Sequence, residues 1–308
     1  MYDLIILGGG PAGTAAAVYA ARKQLKTAII TSEFGGQSIV SETIYNWIGT
    51  PEISGASLGE SFKKHILYYK GPFLDIIDGE KIVNIKKDNN IIDIETESGK
   101  TYQSLAVIIS TGSSRRKLEA INADIYENKG ITYCASCDGP MFIDQDVVVV
   151  GGGNSAFESA SQLLSYCKSV TIINRSEIFR ADEITINKLI QNPKLKIIKN
   201  ADILKVDGDK FVSSLTYKDK IGGEENTINT TGIFVEIGQI PNTGFAKNTI
   251  DLDEFNKIKV NPRTQETSVP GIWAAGDCTD GKYHQNNIAA GEGVTALEDA
   301  YLWIQKNK

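Results

Sequence analysis

One short pattern occurs twice in this chain and sets most of what it can fold into. From Tyr2 the sequence runs YDLIILGGGPAGTAAAVYAARK: an apolar run to Leu7, then Gly8-x-Gly10-x-x-Gly13, then an alanine-rich stretch beginning near Ala12. An unbroken apolar run predicts a strand buried on both faces, and the alanines predict a helix. Far downstream the order returns as DVVVVGGGNSAFESASQLL, with a strand over 147–150, then Gly151-x-Gly153-x-x-Ala156, then a helix. In such a unit the first glycine permits the tight turn and the second lets backbone approach a pyrophosphate. The third small residue lets the helix lie close to the strand, leaving phosphate charge at the helix N-terminus. A lone loop of this kind is weak, but a strand before it and a helix after it supply the context that gives it meaning. Two of them predict an α/β chain with two doubly wound, Rossmann-like nucleotide-binding domains and two dinucleotides.

The strand that follows each loop carries the ribose-reading residue. After the first loop a strand over 27–31 is expected to end before Glu33, an acid suited to the ribose hydroxyls. After the second, a strand over 170–173 ends at Asn174-Arg175-Ser176-Glu177-Ile178-Phe179-Arg180. NAD selection calls for an acid at the strand end, whereas an arginine nearby accommodates the 2′-phosphate of NADP. Asn174 is no acid, and Arg175 and Arg180 are available, so the second nucleotide is expected to be NADPH. A clear preference for NADH would refute that.

Charge and length exclude other classes. The 308 residues carry 32 Lys plus Arg against 38 Asp plus Glu, a net charge of −6, with no basic footprint for nucleic acid. No apolar run approaches the ~18–20 residues that span a bilayer, and Met1-Tyr2-Asp3 lacks the basic start of a signal peptide, so a cytoplasmic protein with no membrane partner is expected. Between the loops, 55–69 reads as an amphipathic helix and 90–107 as a hairpin turning at Ser98-Gly99, followed by a Thr111-Gly112 turn. After the second loop come strands around 211–218 and 227–237, read as a second hairpin-like insertion. The last part, GIWAAGDCTDG, reads as a buried strand and an Asp277 turn before a closing helix. That strand has no nucleotide loop of its own and is expected to complete the first sheet. One domain would then comprise 1–116 and 245–308, interrupted by a second over 117–244.

Cys134-Ala135-Ser136-Cys137-Asp138 lies just before the second loop. One thiolate of such a pair attacks a disulfide while the other resolves the mixed intermediate, and Asp138 could supply or take the proton that exchange requires. The competing reading, half of a zinc site, needs two more ligands. Cys167, Cys278, His65 and His284 are isolated and lack ligand spacing, so no metal is expected. Cys167, placed on a helix, and Cys278 read as small buried residues. A hydride donor and a disulfide rarely exchange electrons directly, and flavin is the usual intermediary, so the first dinucleotide is inferred to be FAD.

These residues resemble the low-molecular-weight thioredoxin reductases, and also the C-terminal flavoprotein part of the alkyl hydroperoxide reductase reductase subunit. The resemblance runs in order along nearly the whole chain: GGGPAG (Gly8, Gly10, Pro11, Ala12, Gly13), GGQ (Gly36, Gln37), YNWIG (Asn46), Thr111-Gly112 and TYCASCDGPMF. It continues through GGGNSA (Gly151, Gly153, Asn154, Ser155, Ala156), GIFVEIGQIPNT and AAGDC (Gly276, Asp277). It implies two doubly wound domains in a homodimer, with Gln37, Asn46, Asp277 and Gln285 along the flavin. It further implies that Cys137 faces the flavin, that Cys134 exchanges with a thioredoxin-like partner, that Asp138 donates the proton, and that one domain rotates on the other near Arg116 and Gly244. The likeness departs at Asn174-Arg175-Ser176, where NADPH users carry His-Arg-Arg, and at His284-Gln285-Asn286, where Arg or Lys usually precedes the glutamine. The implied activity is a thioredoxin-disulfide reductase of NADPH type, with NADH, ferredoxin or another flavoprotein as alternative donors. A non-enzymatic nucleotide sensor is the remaining reading. With no thioredoxin-like region before Met1, a free-standing reductase is the expectation.

Overall fold

The computed structural model describes residues 1–41 and 43–308. The chain divides into two compact units, one of residues 1–40, 47–114 and 240–308, the other of residues 41–46 and 115–239.

The first unit is built on β1 (Tyr2–Gly9), α1 (Pro11–Arg22), β2 (Thr27–Phe34), α2 (Gly55–Tyr69) and β3 (Leu74–Asp78). A meander of β4 (Ile82–Asp88), β5 (Ile91–Thr96) and β6 (Thr101–Ile109) follows. The sheet runs β3-β2-β1-β6-β5-β4. Its first four strands are parallel and the last two pairings antiparallel. Side chains of β1 alternate between two cores, Leu4 and Ile6 on one face, Ile5 and Leu7 on the other. Both faces are covered, which is why the run reads as continuously apolar.

β7 (Ser113–Arg115) lies where the chain leaves this unit. The second unit holds β8 (Ile131–Thr132), the short α3 (Ala135–Asp138), β9 (Asp146–Val150), α4 (Asn154–Leu163), β10 (Ser169–Ile173), α5 (Glu183–Leu189) and β11 (Leu195–Ile198). It continues with β12 (Ala201–Gly208), β13 (Val212–Asp219), β14 (Glu225–Asn229) and β15 (Gly232–Val235). Its five-stranded sheet, ordered β11-β10-β9-β15-β8, is parallel throughout. β12, β13 and β14 form a separate antiparallel sheet.

At the return crossing β16 (Gln239–Pro241) pairs with β7, and the first unit closes with β17 (Ile272–Ala274) and α6 (Asn286–Asn307). β6 is shared lengthwise: Thr101 to Ser104 pair with β5, and Val107 to Ile109 pair with β17. The strand before Asp277 thus completes the first sheet, while α6 lies on the face carrying α1.

Three details correct the sequence reading. β2 continues to Phe34, so Glu33 lies inside the strand; a register shift between Leu7 and Gly9 lets β1 and β2 stay paired there. The stretch 227–237 is two strands, β14 in the antiparallel sheet and β15 in the parallel one. Between them the Thr230 hydroxyl donates to the carbonyls of Asp146 and Gly232, diverting the backbone from a continuous ladder. Cys167 lies in a bend after α4 rather than on a helix, and is buried there.

Candidate functional site

In the first unit the glycine loop turns between β1 and α1. Gly8 has φ of 111°, and a Cβ there would stand 2.4 Å from the Ser110 carbonyl oxygen. A Cβ on Gly13 would stand 1.9 Å from the Gly8 carbonyl oxygen, so only glycine lets α1 start this close to its strand. Gly10 caps α1 and meets nothing within 4 Å, leaving space for something other than protein. That space is a cavity of about 600 Å³ whose wall includes Gly8, Gly10, Pro11, Ala12, Glu33 and Gly36. Gln37, Thr111, Gly112, Gly276, Asp277 and Asn286 complete the expected part of that wall. No acid stands in the first turn of α1, so its free N–H groups meet no competing carboxylate. The residues fit a dinucleotide: an uncluttered helix start, glycines whose Cβ atoms would close the turn, and a cavity of about 600 Å³ beyond them.

The remaining expected residues lie elsewhere. Gly13 is under the turn rather than on the wall, and Asn46 falls in the segment 41–46. His284 and Gln285 stand outside the wall. His284 Nε2 is 2.7 Å from Lys257 Nζ, and His284 Nδ1 is 3.6 Å from Asp277 Oδ1. An ammonium only donates, so Nε2 accepts and the ring proton sits on Nδ1, toward Asp277. Glu292 accepts from the Gly276 N–H at 2.7 Å, and burial pushes its carboxyl pKa up.

The second unit repeats the loop between β9 and α4, with Gly151 at φ 146° and Gly153 capping the helix. Asn154 Oδ1 accepts from the Asp182 N–H at 2.8 Å, and the Arg180 N–H donates to the Gly152 carbonyl at 2.7 Å, so the loop after β10 is tied to the glycine turn. Ser155 is exposed on the first turn of α4 and Ala156 is buried beneath it. Asn174 is 5% exposed and turned inward, its Nδ2 donating to the carbonyls of Ser176 at 2.7 Å and Ile178 at 3.2 Å. It shapes the turn, while Arg175 and Arg180 stand exposed around it.

Cys134 and Cys137 are joined as a disulfide, with Cα atoms 5.3 Å apart. Cys134 caps α3, and its Sγ accepts from the Cys137 N–H at 3.2 Å. Both cysteines are partly exposed, whereas Cys167 and Cys278 are fully buried, and burial raises their thiol pKa values to about 11 and about 12. A thiol so raised is inert as a nucleophile, which leaves the pair to do sulfur chemistry. Among the described residues no group of three or more His, Cys, Asp or Glu side chains is placed to hold a metal, and no helix is long and apolar enough to cross a membrane. Asp138 ends α3 and accepts a hydrogen bond from the Thr132 hydroxyl.

Sequence reasoning missed Thr132, Lys257 and Glu236. Glu236 follows β15, and its carboxyl accepts from the Ser159 hydroxyl at 2.6 Å; burial raises its pKa to about 7. The GIFVEIGQIPNT run marks Glu236 as an acid inside an apolar motif, which was a usable signal. Nothing local marks Lys257, whose partner is distant in the chain.

The family described as pyridine nucleotide-disulphide oxidoreductase matches residues 2–293. Among curated relatives, the F subunit of alkyl hydroperoxide reductase from Staphylococcus epidermidis (strain ATCC 35984) is 39% identical over 306 residues, covering 99% of this chain and 60% of that protein. NADH dehydrogenase of Bacillus subtilis (strain 168) is 36% identical over 306 residues, covering 99% of this chain and 59% of its own length. The chain thus spans about six tenths of these relatives. Among solved structures, thioredoxin reductase from Giardia duodenalis superposes with a TM-score of 0.91 at 31% identity, covering 99% of each chain. Thioredoxin reductase from Streptococcus pyogenes MGAS5005 gives 0.89 at 32% identity, also covering 99% of each.

Proposed function

We propose that this chain, which belongs to the pyridine nucleotide-disulphide oxidoreductase family, passes electrons from a pyridine nucleotide through FAD to the Cys134–Cys137 disulfide and on to a thioredoxin-like protein. The family implies flavin and pyridine nucleotide use. In this reading the discontinuous unit is the FAD-binding domain and the inserted one the pyridine-nucleotide domain. The single observation that carries it is the pairing of Cys134 with Cys137 in the unit that also holds the second glycine loop, in a chain whose first loop opens on a dinucleotide-sized cavity. Bound flavin would accept a hydride and hand on two electrons. The chain's own residues do the rest. The Gly8 to Gly13 turn and the start of α1 hold the diphosphate, and Asp277 and Gln37 border the cavity beyond it. Cys137 is the sulfur that meets the flavin, Cys134 the one that exchanges with the partner, and Asp138 supplies the proton. Nicotinamide and dithiol belong to one unit and take turns at the flavin. The chain is read as a cytoplasmic homodimer.

Cys137→Ser should leave a yellow protein whose flavin is still bleached by its donor, with protein disulfide reduction falling by about a thousandfold or more. Unchanged turnover would refute the dithiol route. A second donor reading rests on Asn174, whose amide is spent on the turn and offers no carboxylate to a ribose. Anaerobic titration with NADPH, NADH and reduced ferredoxin in parallel, following the flavin band, decides between them. Bleaching by NADPH is expected, and bleaching by ferredoxin alone would move the donor outside pyridine nucleotides.

A further inference from the structure

We propose that Thr132 is a positioning residue that holds the Asp138 carboxyl at the wall of a solvent cavity, from which Asp138 regains its proton after each disulfide reduction. This rests on the reading of Asp138 as the acid of the dithiol.

Thr132 ends β8 and is 7% exposed, its backbone fixed by parallel pairing with Phe234 of β15. Its hydroxyl donates to Asp138 Oδ2. A β-branched side chain is stiff at χ1, so the direction of this hydroxyl is set by the sheet rather than by the short α3. A hydroxyl has one proton and two lone pairs. It donates to the carboxylate and, after rotation, accepts from the carboxylic acid, serving both states that an acid passes through.

Behind this pair lies a cavity of about 350 Å³, with Asn128, Thr132, Asp138, Gln145 and Thr231 among its wall residues. At ~30 Å³ per water that is room for several molecules; Ile131, Met141, Phe142, Phe211 and Val212 make the rest of the wall apolar, so water there has those few polar side chains as its side-chain partners. Among the described residues Asp138 is the one titratable side chain on the wall, and neither cysteine is part of it. Asp138 follows Cys137 in the chain and borders a cavity that neither cysteine lines. That cavity offers water a route to the acid that does not pass the disulfide.

The proton balance needs such a route. Breaking the S–S bond to give two thiols takes two electrons and two protons. A reduced flavin held by the first unit would supply the two electrons and one proton, becoming oxidised. Asp138 gives the second proton and becomes a carboxylate, which cavity water then reprotonates.

The first test needs no flavin chemistry. In oxidised protein with carboxyl-¹³C aspartate, the Asp138 resonance is identified by its loss in Asp138→Asn and titrated by NMR. Thr132→Val should raise its midpoint by about one pH unit, because the ionised carboxyl loses a donor, and Thr132→Ser should restore it. In single-turnover transfer from reduced flavin to the disulfide, the high-pH fall in rate should move up by the same amount in Thr132→Val only. An unmoved midpoint in Thr132→Val, or an equal displacement in both variants, overturns the role of Thr132. If Asp138→Asn leaves the transfer profile unchanged, the acid reading itself fails. If that profile changes while Thr132→Val leaves it untouched, only the present inference fails. Thr231→Phe, placed on the cavity wall, should leave the first transfer intact and slow later cycles severalfold; equal slowing of both, or of neither, overturns the refilling route.

Discussion

The two glycine loops share strand, turn and helix, yet they are packed differently. In the first, α1 starts so close to β1 that a single methyl on Gly13 would meet the Gly8 carbonyl at 1.9 Å. On its other side α1 touches α6, where a Cβ on Gly293 would lie 2.2 Å from the Ala12 carbonyl oxygen. The turn is further fixed by the Ser110 hydroxyl, which donates to the Leu7 carbonyl at 2.9 Å, and by Glu292 holding the Gly276 N–H. In the second loop the matching position is Ala156, which carries its methyl without conflict, and the turn is tied to an exposed segment through Arg180 and Asn154. The contrast suits a first group that is retained and a second that comes and goes.

The largest effect expected from this contrast lies at the third position of each loop. Gly13→Ala should cost several kcal/mol, because the Gly8 backbone and the Ser110 hydroxyl both have to move, and should abolish flavin retention; overpacking of a tight site costs ~1–3 kcal/mol and more where backbone is the obstacle. The reciprocal Ala156→Gly should cost only about 1 kcal/mol, the helix-propensity difference, and leave flavin content unchanged. Thermal unfolding together with the flavin-to-protein absorbance ratio measures both. Equal costs would erase the distinction drawn between the loops.

This asymmetry shows how much the sequence disclosed. Both loops, their strands and their helices were legible because a glycine turn between an apolar run and a helical pattern is local information. So was the return of β17 to the first sheet, since a buried strand without its own loop needs a partner. The extra strand β12 was missed because residues 201–208 mix polar and apolar side chains, and the core that Ala201 and Val206 share with β9, β10 and β15 is formed only in the folded chain. The break between β14 and β15 depends on where the Thr230 hydroxyl finds its carbonyls, a tertiary fact. At the site, the cysteine pair was plain from spacing. The Thr132 hold on Asp138 and the Lys257–His284 contact were hidden, because each depends on how the chain brings side chains together.

A second contrast concerns the acids beside each loop. Both Glu292 and Glu236 are raised by burial, but Glu236 is the one moved from 4.5 to about 7. Its folded-state value lies above its unfolded value. The stability it contributes is complete below about pH 4.5 and is lost as pH rises through about 7, where the folded protein must give up the proton the unfolded chain released earlier. The loss is on the order of 2 kcal/mol, after allowance for the partial exposure of the side chain. Glu236→Gln keeps an acceptor for Ser159 and carries no charge. The difference between urea-unfolding free energies of variant and parent should be flat in acid and grow in the variant's favour toward pH 8. A difference independent of pH would show that Glu236 does not titrate in this range.

The smallest effect expected lies in the turn after β10, where the second loop is most open. Asn174 spends its amide on the carbonyls of Ser176 and Ile178, so the proposed reading assigns anion recognition to the exposed Arg175 and Arg180. Ser176→Arg adds a third cation and gives up only the long 3.4 Å bond from the Asn174 amide to the Ser176 hydroxyl, leaving its bonds to the two carbonyls. An exposed ion pair is worth roughly 0.2–1 kcal/mol, so NADPH should bind about 1.4- to fivefold more tightly and NADH should be unaffected. The gain should shrink as salt is raised, since exposed charges are screened. Fluorescence titration of both nucleotides at two ionic strengths measures this. An equal gain for NADPH and NADH would mean that the new arginine reads the diphosphate both share, placing the 2′-phosphate away from residues 174–180 and leaving donor choice to another part of the second unit.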